Sequence, residues 1–391
     1  MSISLDRVPQ ITQGAGALEQ LGALVKGLRP AAAGNAGAVA RHVLLVADPG
    51  VKALGMVAGA ESALRSAGLA VTVFDRVESD PSMAQADSTA ELARRERAET
   101  VVALGGGSAM DLGKSVAAIA GANAPASHYG LCANPFPEAR LACVCVPTTS
   151  GTGSEATRTA VLSDTAHAKV WLWGDALKAD AILLDPALTV GLPPHLTAAT
   201  GIDALVHAIE ASTNRNANAA NDLYCHEAIR LVVKYLARAV NTPTDLAARA
   251  GLQWAATFAG IGIDNCGTAI AHNIGHALAS LRPVHHGRAV GVALRATLPW
   301  SVADGDPAYA AAAAAMGETA DAQRLPGAFE RLLRQVGVKV SLGGEGHDQI
   351  TAAQLAEQMA LPANEPMRRS NRRSVRDQDL LEFAVAVLES A

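Results

Sequence analysis

Asp203, His207, His272 and His286 are four side chains able to hold a metal ion, and a fifth, His276, lies between the last two. Asp203/His207 and His272/His276 are each four residues apart, so a helix at either place would carry both members on one face. One carboxylate and three imidazoles suit a borderline first-row dication and leave a position for substrate. Any one of the eleven histidines reads more readily as a surface or hydrogen-bonded core residue. The constellation is what argues for a metal. Asp203-Ala-Leu-Val-His207 is apolar, where an unpaired carboxylate is costly; metal coordination removes that cost, and so would a buried Asp–His pair. His285-His286-Gly287 reads as a loop whose glycine lets the chain turn back towards the same place. His195 and His226 lack such company and read as structural or exposed.

The first half of the chain carries a different chemistry. Gly105-Gly106-Gly107-Ser108 follows a strand-like run at 101–104 and opens an apparent helix over 109–120, with Ser108 and Asp111 spaced as a cap and its third helical residue. Backbone N–H groups exposed by glycine at a helix start favour a pyrophosphate; a tight turn with a good cap fits the same residues. A second polar run, Pro147-Thr148-Thr149-Ser150-Gly151-Thr152-Gly153-Ser154-Glu155, follows the next strand and reads as ligand-facing, although a solvated loop has this composition too. Asp48 ends the run 42–47, where a carboxylate can accept both hydroxyls of an adenosine ribose and repel a 2′-phosphate, so NAD is expected over NADP. Asp48-Pro49 is equally an ordinary turn opening. Lys169 could neutralise a phosphate or sit on the surface.

The elements that must position these groups follow from periodicity. Short β-rich runs at 42–47, 70–74, 100–104, 142–146 and 181–184 alternate with Ala-rich helical stretches such as 51–67 and 87–97, the rhythm of a doubly wound parallel sheet. After Asp185-Pro186 the strand signal stops. Residues 188–236, 245–260, 268–279, 307–322 and 379–389 read as helices. The expected fold is therefore an α/β Rossmann-like domain over 1–187 and an all-α domain over 188–391, since one core rarely serves more than roughly 250–300 residues.

With 391 residues, 50% hydrophobic but only 3% aromatic, the core must be built from Ala, Val, Leu and Ile. A net charge of −5 without a basic stripe argues against nucleic acid as a partner. No apolar run reaches the roughly 18 residues of a membrane span, and the N-terminus shows no signal pattern, so a soluble, cytoplasmic protein is expected. Five cysteines form no Cys-x-x-Cys pair and read as buried reduced thiols.

Taken together, these segments resemble the iron-dependent (group III) alcohol dehydrogenases, in the superfamily that also holds glycerol dehydrogenase and dehydroquinate synthase. The matching pieces are Gly105-Gly-Gly-Ser-Ala-Met-Asp111-Leu-Gly-Lys114, Pro147 to Glu155, Gly201-Ile-Asp203-Ala-Leu-Val-His207-Ala-Ile-Glu210, and His272-Asn-Ile-Gly-His276 with His286-Gly287. Gly14-Ala-Gly-Ala-Leu18 is similar to the family's opening. The resemblance implies an N-terminal domain for NAD(P), a helical domain for the metal, and a substrate cleft between them. It implies that Asp203, His207, His272 and His286 hold Fe2+, sometimes replaced by Zn2+. Gly106, Gly107 and Ser108 would hold the pyrophosphate, Asp48 the adenosine ribose, and Thr148 and Thr149 the cofactor's inner portion; Gly105, Asp111, Thr152 and Lys169 are further cofactor-binding candidates. His276 is then not a ligand; it is the candidate for passing a proton between substrate oxygen and solvent. The activity implied is hydride transfer between nicotinamide and the carbon of a small alcohol or aldehyde, in a homo-oligomer of two or more chains.

Two departures from the family pattern stand out. His285 replaces a common proline, and Met367-Arg-Arg-Ser-Asn-Arg-Arg373 replaces an Asn-Pro-Arg-like element. Arg368, Arg369, Arg372 and Arg373 could receive an anionic substrate or cofactor group, or form a solvated basic turn. A metal- and NAD-dependent lyase or cyclase of the dehydroquinate-synthase type is the competing reading, and it would give no net NADH. A non-catalytic NAD-binding protein fits poorly with the Asp/His set.

Overall fold

The structure is a computed structural model that describes residues 3, 5–28, 40–166, 168–339, 342 and 349–389. The chain divides into two compact units. One comprises residues 7–149 and 154–191, the other residues 1–6, 150–153 and 192–391.

The first unit is built on a sheet of six parallel strands: β1 (Gln10–Gln13), β2 (His42–Ala47), β3 (Ala70–Phe74), β4 (Thr100–Gly105), β5 (Ala142–Pro147) and β8 (Ala181–Leu184), in the order β1-β8-β5-β4-β2-β3. β4, β5 and β8 are buried along their whole length. Burial on both faces is why they read as unbroken apolar runs instead of alternating ones. Helices α1 (Leu21–Gly27), α2 (Pro49–Ala53), α3 (Met56–Ser66), α4 (Met83–Arg95) and α5 (Gly107–Ile119) accompany the sheet. The strand order reverses between β2 and β4, since β3 lies on one side of β2 while β4, β5 and β8 run out on the other. In doubly wound sheets that reversal, at the carboxyl ends of the strands, is where ligands bind.

Three local expectations change. The single helix expected over 51–67 is two helices, because Gly55 takes a left-handed φ of 77° between them. β1 is short and polar and gains its place only by pairing with β8, Ile11 opposite Ile182. β6 (Thr159–Ser163) and β7 (Lys169–Trp173) form a separate antiparallel pair that the β/α rhythm did not announce. Cys143, Cys145, Cys225 and Cys266 are buried free thiols as expected, whereas Cys132 is exposed.

The second unit is helical: α6 (Pro194–Thr213), α7 (Ala219–Asn241), α8 (Leu246–Cys266), α9 (Ile270–Leu281), α10 (His286–Ser301), α11 (Pro307–Ala315), α12 (Leu325–Gln335), α13 (Ala352–Met359), α14 (Glu365–Ser370) and α15 (Asp377–Glu389). The single long helix expected over 188–236 is interrupted at residues 214–218, where Asn214 is extended and Asn218 caps α7 through Asn221 N. From Thr197 to Thr213, α6 is buried all round, the mark of a helix at the centre of a bundle. No helix among the described residues is long and apolar enough to cross a membrane.

Candidate active site

The metal-capable residues come from three helices of the helical unit. Asp203 and His207 lie one turn apart on α6, His272 is in the first turn of α9, and His286 is the first residue of α10. His286 was expected in a loop. Helix starts at α9 and α10 instead fix the two histidines on rigid backbone.

One donor atom from each of the four lies within 4.8 Å of every other. Asp203 Oδ1 is 3.9 Å from His207 Nδ1, 3.9 Å from His272 Nε2 and 3.6 Å from His286 Nε2. Ligand atoms each about 2.1 Å from one ion lie about 3.4 Å apart at the tetrahedral angle, so the spacing fits a shared cation with slight contraction. Asp203 is 2%, His272 2% and His207 5% exposed. Asp203 Oδ1, His207 Nδ1 and His272 Nε2 are all buried without a hydrogen-bond partner. Orphaned buried polar atoms are costly, and three converging on one point are accounted for by a cation. An Asp–His pair alone leaves His272 Nε2 unexplained.

The electrostatics agree. Burial, reinforced by the Glu210 carboxyl, pushes Asp203 up to about 8, and burial lowers His207 to about 4. His272 and His286 are held well below the ordinary imidazole value by burial and by their histidine neighbours, although 38% of the His286 side chain stays exposed. The rings are therefore neutral with lone pairs available, the state a metal requires.

Gly287 is placed differently from its expected part as a turn residue. It is inside α10, and a Cβ there would come within 2.1 Å of the Ala199 carbonyl oxygen and 3.1 Å of Asp203 Cβ. Absence of a side chain lets α10 approach α6 closely enough for His286 to join Asp203.

His276 is one turn beyond His272, its ring centroid 6.4 Å from that of His272 and 5.6 Å from that of His286. Its ring is half-buried beside the ligand set. Sequence reasoning did not single out Glu210, whose carboxyl accepts from Ala269 N at 2.9 Å and Ala271 N at 2.6 Å and meets His272 Nδ1 at 2.6 Å. Its signal was available: Asp203, His207 and Glu210 at i, i+4 and i+7 share one helical face.

The expected cofactor residues belong largely to the sheet unit. Asp48 follows β2, and its Oδ1 accepts from Val51 N at 2.9 Å as the cap of α2. Gly105 ends β4, and a Cβ there would come within 2.9 Å of Asp48 Oδ2, so the two loops meet at the strand-order reversal. Gly106, and not Ser108, is the N-cap of α5, with no side-chain cap bond; Gly107 begins the helix. Ser108 Oγ donates to the Ser79 carbonyl. Thr148 N donates to the Gly105 carbonyl at 2.9 Å, and Thr149 stands 3.4 Å from where a Gly106 Cβ would be.

Other members are engaged elsewhere. Asp111 accepts from Ser154 Oγ at 2.5 Å and Val161 N at 3.0 Å. With the fully buried Lys114, whose ammonium donates to the Ser154 carbonyl at 2.7 Å, it ties the segment after β5 to α5. Lys169 is paired with Asp80. Thr152 lies in the stretch 150–153 that packs with the helical unit. There Gly151 and Gly153 are needed for close approach: a Cβ on Gly151 would meet the Thr200 carbonyl oxygen at 2.8 Å, and one on Gly153 the Ala256 carbonyl oxygen at 2.5 Å. Helix packing, besides any ligand, accounts for those glycines.

The four arginines near the C-terminus are held by the protein itself. Arg368 donates to the Val375 carbonyl and to Asp377 Oδ1 at 2.7 Å, and Arg369 to Glu365 at 2.9 Å. Arg372 donates to Asp306 at 2.6 Å, and Arg373 donates to the Trp300 carbonyl at 2.6 Å while lying over its ring. Arg368, Arg372 and Arg373 fasten the segment between α14 and α15, and Arg369 pairs within α14.

With this geometry established, comparison with known proteins is direct. Residues 9–186 match the family described as iron-containing alcohol dehydrogenase, and residues 197–387 match the C-terminal domain of that same family. Long-chain-alcohol dehydrogenase 1 of Geobacillus thermodenitrificans is 34% identical over 88% of this chain and 87% of its own length. The 1,3-propanediol dehydrogenase of Citrobacter freundii is 33% identical over 82% of this chain and 85% of its own. Sulfoacetaldehyde reductase from Bifidobacterium kashiwanohense, solved in complex with NAD+, superposes with a TM-score of 0.87 at 25% identity, all of both chains being covered. The chain belongs to the iron-containing alcohol dehydrogenase family, oxidoreductases acting on CH–OH groups.

Proposed function

We propose that Asp203, His207, His272 and His286 hold a divalent cation, Fe2+ in preference to Zn2+, and that the enzyme interconverts a small alcohol and its aldehyde or ketone with NAD. Three buried donor atoms that face one another without partners carry this reading. A dication there would supply a Lewis acid that lowers the pKa of an alcohol and polarises a carbonyl.

For the dinucleotide, the N-terminus of α5 is the proposed pyrophosphate site. Gly106 offers no side-chain cap, so the first N–H groups of the helix stay open to an anion. Asp48 is proposed to receive the adenosine ribose hydroxyls through Oδ2, because Oδ1 is already engaged with Val51 N. Thr148 and Thr149 complete that edge of the sheet.

His276 is proposed to move the substrate's hydroxyl proton through a ring nitrogen, being one turn from His272 on the same helix and half-buried. The apolar bulk of α6 around the ligand pair keeps competing water away.

Relatives whose names specify a long-chain alcohol, propanediol and sulfoacetaldehyde leave the substrate to a panel. Primary alcohols, diols and hydroxy acids, each with NAD and NADP on Fe2+- and Zn2+-loaded protein, should give net reduced nicotinamide by absorbance. Turnover with no net NADH would favour the lyase reading instead.

A further inference from the structure

Glu210 occupies a singular position: its carboxyl joins the helix bearing Asp203 and His207 to the helix bearing His272. It is 3% exposed and lies seven residues after Asp203 on α6. Both of its oxygens already receive main-chain N–H groups, Oε1 from Ala271 and Oε2 from Ala269, the N-cap of α9. Oε2 also lies 2.6 Å from His272 Nδ1. A carboxyl that two N–H groups already address holds a third group most readily as an acceptor.

We propose that Glu210 is the positioning residue of the metal centre: it fixes the Nδ1–H tautomer of His272, so that the lone pair on Nε2 faces Asp203 Oδ1. This inference rests on the metal reading above and deepens it. The Nε2 atom is the one left without a partner, 3.9 Å from Asp203 Oδ1. In the other tautomer a proton would stand on Nε2, and the donor set would lose a ligand. An outer carboxylate of this kind sets ring orientation and ligand basicity, and its loss costs about 10–100-fold in metal affinity. Because the same carboxyl caps α9, ring orientation and helix position are coupled through one side chain.

Glu210→Gln separates positioning from simple capping. Its amide oxygen can still accept a main-chain N–H, but an NH2 group facing Nδ1 would donate to it and drive the proton to Nε2. Zn2+ affinity, measured by chelator competition, is expected to fall about 10–100-fold. In 15N-histidine-labelled metal-free protein held well above neutral pH, so that the Glu210 carboxyl is ionised, and with His272 assigned from its loss in His272→Ala, the wild type should show the Nδ1–H tautomer and Glu210→Gln the Nε2–H form. An Nε2–H tautomer in the wild type, or unchanged Zn2+ affinity in Glu210→Gln, overturns the inference. The wild-type spectrum decides the matter even if the variant does not fold. A wild type that takes up no Zn2+ overturns the metal reading itself, and is recognised because the tautomer measurement needs no metal.

Discussion

Asp203 Oδ1 lies 3.9 Å from His207 Nδ1, one turn along the same buried helix, and neither atom has a hydrogen-bond partner. A buried carboxylate facing an imidazole lone pair is a poor arrangement alone and a good one around a cation.

Asp203→Ala should therefore lose the metal, its affinity falling by more than about 100-fold, beyond the range for outer partners. His276→Ala should keep the metal and lose turnover by about 100- to 10,000-fold, the contribution of a positioned acid–base group. Metal analysis beside steady-state kinetics separates the two; equal metal loss in both variants would remove His276 from the proposed proton path.

The pH dependence of the metal-free protein follows from the same groups. Asp203 is raised from 3.8 to about 8 and Glu210 from 4.5 to about 7, so their contributions to stability are lost as pH rises towards those folded values. His207, lowered from 6.5 to about 4, contributes stability that is lost only as pH falls below 6.5, and His272 and His286 act in the same direction. Between pH 6.5 and 8 the carboxyls govern. The metal-free Tm should drop across that window, and metal uptake should tighten as Asp203 gives up its proton. Calorimetry at the two pH values, with and without Zn2+, checks both; a metal-free Tm that rises instead would refute the assignment.

Gly287→Ala should disturb the site without altering a ligand. Its Cβ would meet the Ala199 carbonyl oxygen at 2.1 Å, so α10 must move away from α6 and carry His286 with it. Overpacking of this kind costs about 1–3 kcal/mol. A lower denaturation midpoint together with weaker Zn2+ binding is the expected outcome; unchanged metal affinity would mean that His286 contributes little.

Asp48→Ala removes the cap of α2 and the carboxylate proposed to discriminate against a 2′-phosphate. Stability should fall by about 1 kcal/mol, and kcat/KM with NADP should rise relative to NAD. If the NAD-to-NADP ratio of kcat/KM does not move, Asp48 is a capping residue only.

Sequence alone determined what consecutive residues can encode. Four-residue spacing placed Asp203 with His207 and His272 with His276 because a helix repeats every 3.6 residues, and the apolar runs marked the parallel strands because both their faces are buried. The glycine run at the end of β4 marked the start of a helix, α5. Tertiary packing decided the rest. Nothing between His207 and His272 states that α9 returns to α6, or that α10 does; Glu210 bonding to the start of α9 holds the first approach, and Gly287 against Ala199 permits the second. Local reading placed His285-His286-Gly287 in a loop where the fold has a helix start, and left four arginines open between an anion site and a solvated turn where the fold has them held by Asp306, Glu365, Asp377 and Trp300. Such assignments rest on which distant groups share a small volume, and a linear pattern of side-chain types carries no measure of that volume.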